Sequence, residues 1–206
     1  HWPQTPPDRL QVIERGIDPA AYPRQPAPST QGQRLLLMPG RGTRLKGHAT
    51  AIELLARVRA AGVDAALWLP GAVEEGREHY LDELRARAQA LGVLPQLRLE
   101  APIDDMSGAY RDAALVLQLS AKPESFGRTV VEALCSGRAV VGWSHGGVGE
   151  LLARYYPQGR VAVGDMEALL AATLQALSSP PPEPIHPQTL QQMQAQTLEL
   201  YGALAS

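Results

Sequence analysis

KPESFGRTVVEALCSGRAVVGWSHGGVGE, residues Lys122 to Glu150, reads as a loop, a short helix, a strand and a glycine-bearing loop in succession. The apolar run before it, Ala114–Ser120 (ALVLQLS), reads as a buried parallel strand. A second such run, Ala139–Ser144 (AVVGWS), follows the helix, whose stop is Gly137. Strand, loop, helix, strand and loop form one unit of a parallel α/β sheet. In such sheets ligands bind outside the carboxyl ends of the strands, and both loops fall at such ends.

The helix starts between Gly127 and Thr129 and buries the stripe Val130, Val131, Leu134 and Cys135. Free N–H groups and the positive end of the helix dipole make its first turn an anion site. Gly127 allows a ligand close to the backbone, and Arg128 adds charge. Two carboxylates, Glu124 and Glu132, flank the junction. From the residues alone, Glu132 has two readings. It completes a capping box with Thr129, or it accepts hydrogen bonds from paired hydroxyls such as a ribose diol.

A second anion-binding element lies upstream. The strand Arg34–Pro39 runs into Gly40-Arg41-Gly42-Thr43-Arg44-Leu45-Lys46-Gly47, a basic glycine loop that opens into a helix over Ala49–Ala60. It has neither the Gly-Lys-Ser/Thr of a P-loop nor a GxGxxG fingerprint. Lysine occurs in this chain only at Lys46 and Lys122, one in each loop region. Thr50 and Glu53 offer another capping box, and His48 reads as structural.

The remaining pattern continues the alternation. Strands are expected at Asp64–Pro70, Leu97–Glu100 and Arg160–Val163. Helices are expected at His79–Leu91, Met106–Asp112, from Glu150 to Tyr155, and at Asp165–Leu177. This predicts an α/β fold, a Rossmann-like parallel sheet of about six strands with helices on both faces. A proline-rich lead-in, 1–33, precedes the domain, 34–178, and 179–206 reads as a proline-rich linker with a terminal helix. Leu10–Ile13 reads as a short strand in the lead-in. Asp104 and Asp105 read as a helix cap rather than a metal pair, and the single cysteine, Cys135, as a core residue.

Composition bounds the function. A chain of 206 residues can bury one substantial core. A net charge of −2 offers no electrostatic case for nucleic acid. No apolar run approaches the roughly 20 residues of a membrane span.

Pro123-Glu124-Ser125-Phe126-Gly127, then Glu132-Ala133-Leu134 and Gly146-Gly147-Val148-Gly149-Glu150, resemble the nucleotide-binding domain of retaining glycosyltransferases of family 4. Gly40-Arg41, Lys46-Gly47 and the lead-in Val12–Tyr22 (VIERGIDPAAY) match the same family in the same order. The resemblance implies the C-terminal, donor-binding half of a two-domain GT-B hexosyltransferase. It implies Arg41 and Lys46 on the diphosphate, with Gly40 beside them. Glu124 takes the donor sugar and counts with Arg41 and Lys46 as catalytic. Glu132 takes the ribose. Phe126, Gly127, Arg128 and Thr129, together with Gly146 and Gly147, line the phosphates and sugar, and the backbone near Ile103 meets the base. His145 lies close enough in sequence to touch the sugar. The family implies no catalytic metal and no cofactor, a nucleotide-sugar donor as substrate, and an N-terminal acceptor domain outside this chain. It also implies a cytoplasmic enzyme of polysaccharide or lipopolysaccharide synthesis, with peripheral membrane association when full length. Two other readings share the constellation: a non-catalytic nucleotide-sugar-binding module, and a sugar-nucleotide epimerase of related architecture.

Overall fold

The structure is a computed structural model that describes residues 6, 10–26 and 32–205. These fall into two units. One runs from Tyr22 to Ile185; the other combines the lead-in up to Ala21 with 186–206.

The larger unit alternates strand and helix throughout. In chain order it contains β1 (Arg34–Leu37), α1 (His48–Ala60), β2 (Ala65–Pro70), α2 (Glu78–Ala90), β3 (Leu97–Glu100), α3 (Met106–Asp112), β4 (Leu115–Gln118), α4 (Arg128–Cys135), β5 (Val140–Trp143), α5 (Gly146–Tyr155), β6 (Arg160–Val161) and α6 (Met166–Ser178). The six strands are parallel, in the order β3-β2-β1-β4-β5-β6. The central strands justify their continuous hydrophobicity: all four residues of β4 and of β5 are buried. On the edges, β3 is only half-buried and Arg160 of β6 is exposed. The helices cover both faces. One face carries α1 with α2 and α6 against it; α4 and α5 pack together against β4 and β5. Leu36, Leu67, Leu115, Leu117 and Val140 lie at the centre of the core with no exposed surface to speak of. Each such side chain contributes about 1.5–3 kcal/mol of burial.

This strand order has a consequence for ligands. The chain moves outward from β1 through β2 to β3, then returns to β4 on the other side of β1. The ends of β1 and β4 are therefore the switch point of the sheet, where doubly wound folds bind their ligands. The loops that leave these ends carry Arg41 and Lys46 on one side and Glu124 on the other.

Most boundaries match the sequence reading to within one or two residues. One does not. The helix expected from Glu150 begins at Gly146, so Gly146 and Gly147 form its first turn rather than a free loop. Both expected capping boxes are also absent. Gly47 caps α1 and Gly127 caps α4, and neither cap uses a side chain. Glu53 instead pairs with Arg57 and Arg87. Asp105 and Asp165 do cap, accepting from the N–H of Gly108 at 2.7 Å and of Ala168 at 2.9 Å. Part of the proline-rich stretch packs rather than links: Ile185 N–H donates to the Leu134 carbonyl at 3.3 Å, and Glu183 pairs with Arg24.

In the smaller unit, Ile17 bridges Thr189, and helix α7 (Leu190–Ala205) follows directly. Leu190 N–H donates to the Ile17 carbonyl at 2.9 Å. The strand expected at Leu10–Ile13 does not form. Pro28 and the first five residues lie outside the described residues. Among the described residues, no helix is long and apolar enough to cross a membrane.

Candidate functional site

The loop after β1 is shaped by its glycines. Residues Arg44–Lys46 make one 3₁₀ turn, and Gly47 ends it in the left-handed region at φ +84°. A Cβ on Gly47 would stand 2.1 Å from the Leu119 carbonyl oxygen. The loop thus presses its backbone onto the end of β4, where only glycine fits. Ala121 N–H then donates to the Leu45 carbonyl at 2.7 Å and stitches the two loops together.

That contact delivers Lys46 to the loop after β4. Its Nζ lies 2.5 Å from Glu124 Oε1, and Ser120 Oγ donates to the same oxygen at 2.5 Å. Both ionic side chains are partly covered, 33% and 22% exposed. Burial pushes the Glu124 carboxyl up, but the bonds from Lys46 and Ser120 pull harder and hold it below its ordinary value. Glu124 is ionised at neutral pH, and Lys46 is poised beside it. Arg41 is exposed, with no ion pair among the described residues. Arg44 turns away, over the Tyr80 ring and onto Glu83. His48 is fully buried. Burial first, and Lys46 second, lower its pKa to about 4, so it is neutral at pH 7. Its Nδ1 lies 3.3 Å from the Tyr80 hydroxyl, which fits the structural reading.

At the far end of the loop after β4, α4 presents its N-terminus. The amides of Arg128 and Thr129 have no intrahelical acceptor, and Gly127 supplies no side-chain cap. One turn on, Glu132 is a buried carboxylate with three protein donors. The Tyr22 hydroxyl donates to Oε1 at 2.9 Å and the Tyr110 hydroxyl to Oε2 at 2.8 Å. Arg128 Nε also bonds Oε1. Burial, and next the Glu132 charge, keeps the Tyr110 hydroxyl well above its usual range, so it stays a donor. Glu132 is therefore no helix cap.

The first turn of α5 closes the third side. Gly147 N–H donates to the Glu124 carbonyl at 2.8 Å. Gly146 has φ +53°, and a Cβ there would meet the Glu124 carbonyl oxygen at 2.7 Å. Both glycines thus hold the Glu124–Phe126 loop in place, which the sequence reading had not assigned to them. His145 Nε2 lies 2.9 Å from the Ser120 carbonyl. A carbonyl only accepts, so this nitrogen donates.

Of the residues expected at the site, Lys46 pairs with Glu124, Gly40 lies against the Lys46 side chain, Gly146 and Gly147 lie against the Glu124–Phe126 backbone, and Arg128 pairs with Glu132; Arg41 follows β1, and Gly127 and Thr129 belong to the start of α4. Ile103 lies in the connection from β3 to α3, and its side chain packs against the core. Sequence reasoning missed Ser120, Tyr22 and Tyr110. Tyr110 carried a signal, because a buried tyrosine hydroxyl needs a partner. Tyr22 carried none, since it sits in a proline-rich lead-in without periodicity.

Residues 23–196 match the family described as Glycosyl transferases group 1. A curated relative, D-inositol 3-phosphate glycosyltransferase 1 of Catenulispora acidiphila, is 29% identical over 190 residues, covering 85% of this chain and 44% of the relative. The chain thus spans less than half that protein's length. Among solved structures, Anabaena HepE in complex with UDP and glucose superposes with a TM-score of 0.77 at 20% identity, covering 97% of this chain and 58% of that one. The C-terminal domain of the group 1 glycosyl transferase LpcC from Francisella tularensis superposes with a TM-score of 0.64 at 19% identity, covering 80% and 89%.

Proposed function

The chain belongs to the glycosyl transferases group 1 family, and on that premise we propose that the site at the ends of β1 and β4 binds the donor of a retaining sugar transfer, a nucleotide diphosphate sugar. The observation that carries the reading is the convergence of Lys46 and Glu124 at the switch point, with the α4 N-terminus and Glu132 following the same loop. Cations and free amides suit a diphosphate. Carboxylates suit sugar hydroxyls. That HepE was crystallised with UDP and glucose supports the same substrate class.

In this reading Arg41 and Lys46 grip the diphosphate and stabilise the charge that grows as it leaves. The amides of Arg128 and Thr129 share that load, and Arg128 adds its guanidinium. Glu132 receives the ribose diol, oriented by Tyr110. Glu124 receives hydroxyls of the donor sugar, held in place by Ser120 and by the Gly146–Gly147 turn. The base lies toward Ile103. The chain corresponds to the C-terminal half of a family 4, GT-B enzyme. Acceptor recognition then belongs to a partner domain outside these 206 residues, and the chain alone binds donor without turnover. Bacterial polysaccharide or lipopolysaccharide synthesis, on the cytoplasmic side of the membrane, is the setting we propose.

The test is a calorimetric titration with UDP, GDP and ADP and their sugar conjugates, without added metal. Saturable binding of one series, abolished by Glu132→Ala, supports the reading and names the base. If no nucleotide binds, or if Glu132→Ala binds as tightly as the wild type, the donor-site assignment falls.

A further inference from the structure

We propose that Arg128 is an exchange residue: it masks an acceptor position of Glu132 in the empty site and passes to phosphate when a nucleotide binds. Recognition of the diol and of the phosphate is thereby coupled. The proposal rests on the reading of Glu132 as diol acceptor and adds what must happen for that carboxylate to become available.

A carboxylate offers about four lone-pair positions, two on each oxygen. Three are occupied here. Tyr22 and Arg128 fill Oε1, and Tyr110 takes one position on Oε2. A vicinal diol brings two O–H donors. Glu132 has room for one of them, so one present occupant must leave.

The three occupants differ in how free they are to go. Tyr110 is fully buried on α3, and Arg138 Nε donates to its carbonyl at 2.7 Å, so it stays. Tyr22 is partly buried, and its ring meets the Tyr110 ring edge-on with centroids 6.0 Å apart. Arg128 is different. Its side chain is 62% exposed, and its remaining anchor is a 3.4 Å bond to the Tyr22 hydroxyl. It is also the first residue of α4, beside the unpaired amides. A guanidinium that leaves Glu132 there meets phosphate oxygens, which suit its planar fork. A nucleoside without phosphate gives the arginine no new partner and must send it into water. A nucleoside diphosphate supplies the partner together with the diol.

Arg128→Met tests this, because it keeps the side-chain stem and removes both the fork and the charge at an exposed position. Three ligands are compared by titration: whichever of UDP, GDP and ADP the wild type binds most tightly, the parent nucleoside, and its 2′,3′-dideoxy form. The expected signature has opposite signs. The nucleoside binds about twofold to fivefold tighter to the variant, the scale of an exposed ion pair removed. The diphosphate binds about tenfold weaker or worse, the scale of lost charge-assisted bonds. The dideoxynucleoside is unmoved. A variant that binds nucleoside and diphosphate both more weakly, or nucleoside unchanged, overturns the exchange while leaving the diol site intact. If the wild type binds nucleoside and dideoxynucleoside equally, the diol reading of Glu132 fails and takes the exchange with it.

Discussion

Lys46 and Glu124 are 78 positions apart in sequence and 2.5 Å apart in the fold. Each comes from the loop after a central strand, β1 for Lys46 and β4 for Glu124. They meet because the sheet reverses its direction of growth between those strands. In the proposed reading the pair is a resting arrangement, with the cation held by an anion of the protein until a substrate anion replaces it.

Replacing the cation should expose that role. Lys46→Ala is expected to weaken nucleoside diphosphate binding by about 1.5–3 kcal/mol, the scale of a hydrogen bond to a charged group. Calorimetry measures it. Binding at wild-type strength would remove Lys46 from the site.

Replacing the anion should do something different. Glu124→Gln releases Lys46 from its competing partner but removes an acceptor for sugar hydroxyls. Affinity for the free diphosphate is expected to hold or rise slightly. The added affinity of the sugar conjugate over the free diphosphate is expected to fall. Equal losses for both ligands would mean that Glu124 serves the loop's structure and not the sugar.

His48 links stability to pH. Its ring titrates at 6.5 when unfolded and at about 4 when folded. Between those values the unfolded chain binds a proton that the native chain does not. Its contribution is therefore complete above pH 6.5 and is lost as the pH falls toward 4. The gap amounts to roughly 3 kcal/mol. Urea denaturation at a series of pH values should show this loss in the wild type and a flatter profile over that window in His48→Leu. Parallel profiles would contradict the buried, neutral histidine.

Tyr110→Phe should cost about 1–3 kcal/mol of stability, because it strips a donor from a buried carboxylate oxygen. Denaturant midpoints with an unchanged m-value would report it. A neutral substitution would mean that water reaches Glu132 Oε2 freely.

Gly47→Ala should be more damaging than an ordinary loop change. It combines a left-handed backbone with a Cβ that would collide with the Leu119 carbonyl. A loss of about 2 kcal/mol or more is expected, with weaker nucleotide binding alongside, since the same contact places Lys46. Wild-type melting would show that the two loops can part without cost.

Much of this was legible in the chain itself. Largely apolar runs such as Leu115–Leu119 and Ala139–Trp143 are best satisfied by burial on both faces, so they identify buried parallel strands. Glycines and helix periodicity placed most of the elements between them. The resemblance carried by Glu124, Glu132, Arg41 and Lys46 pointed to the ends of β1 and β4 as the site. Local rules misled where two structures compete for one residue. Thr129 and Glu132 satisfy the capping-box pattern, yet Gly127 caps the helix and Glu132 turns inward to two tyrosines. Gly146 and Gly147 look like a loop, yet they open a helix, because only residues without a Cβ can lie so close to the Glu124–Phe126 backbone.

The sequence by itself determined the alternation of strand and helix and the residue types at each strand end, because hydrophobic period and glycine conformation act locally. Which of those residues meet was decided by tertiary structure alone. Strand order, and not spacing, brings Lys46 to Glu124. The partners of Glu132 come from the lead-in, from α3 and from α4 itself, three segments whose meeting depends on how the whole sheet is covered and on no property of any one of them.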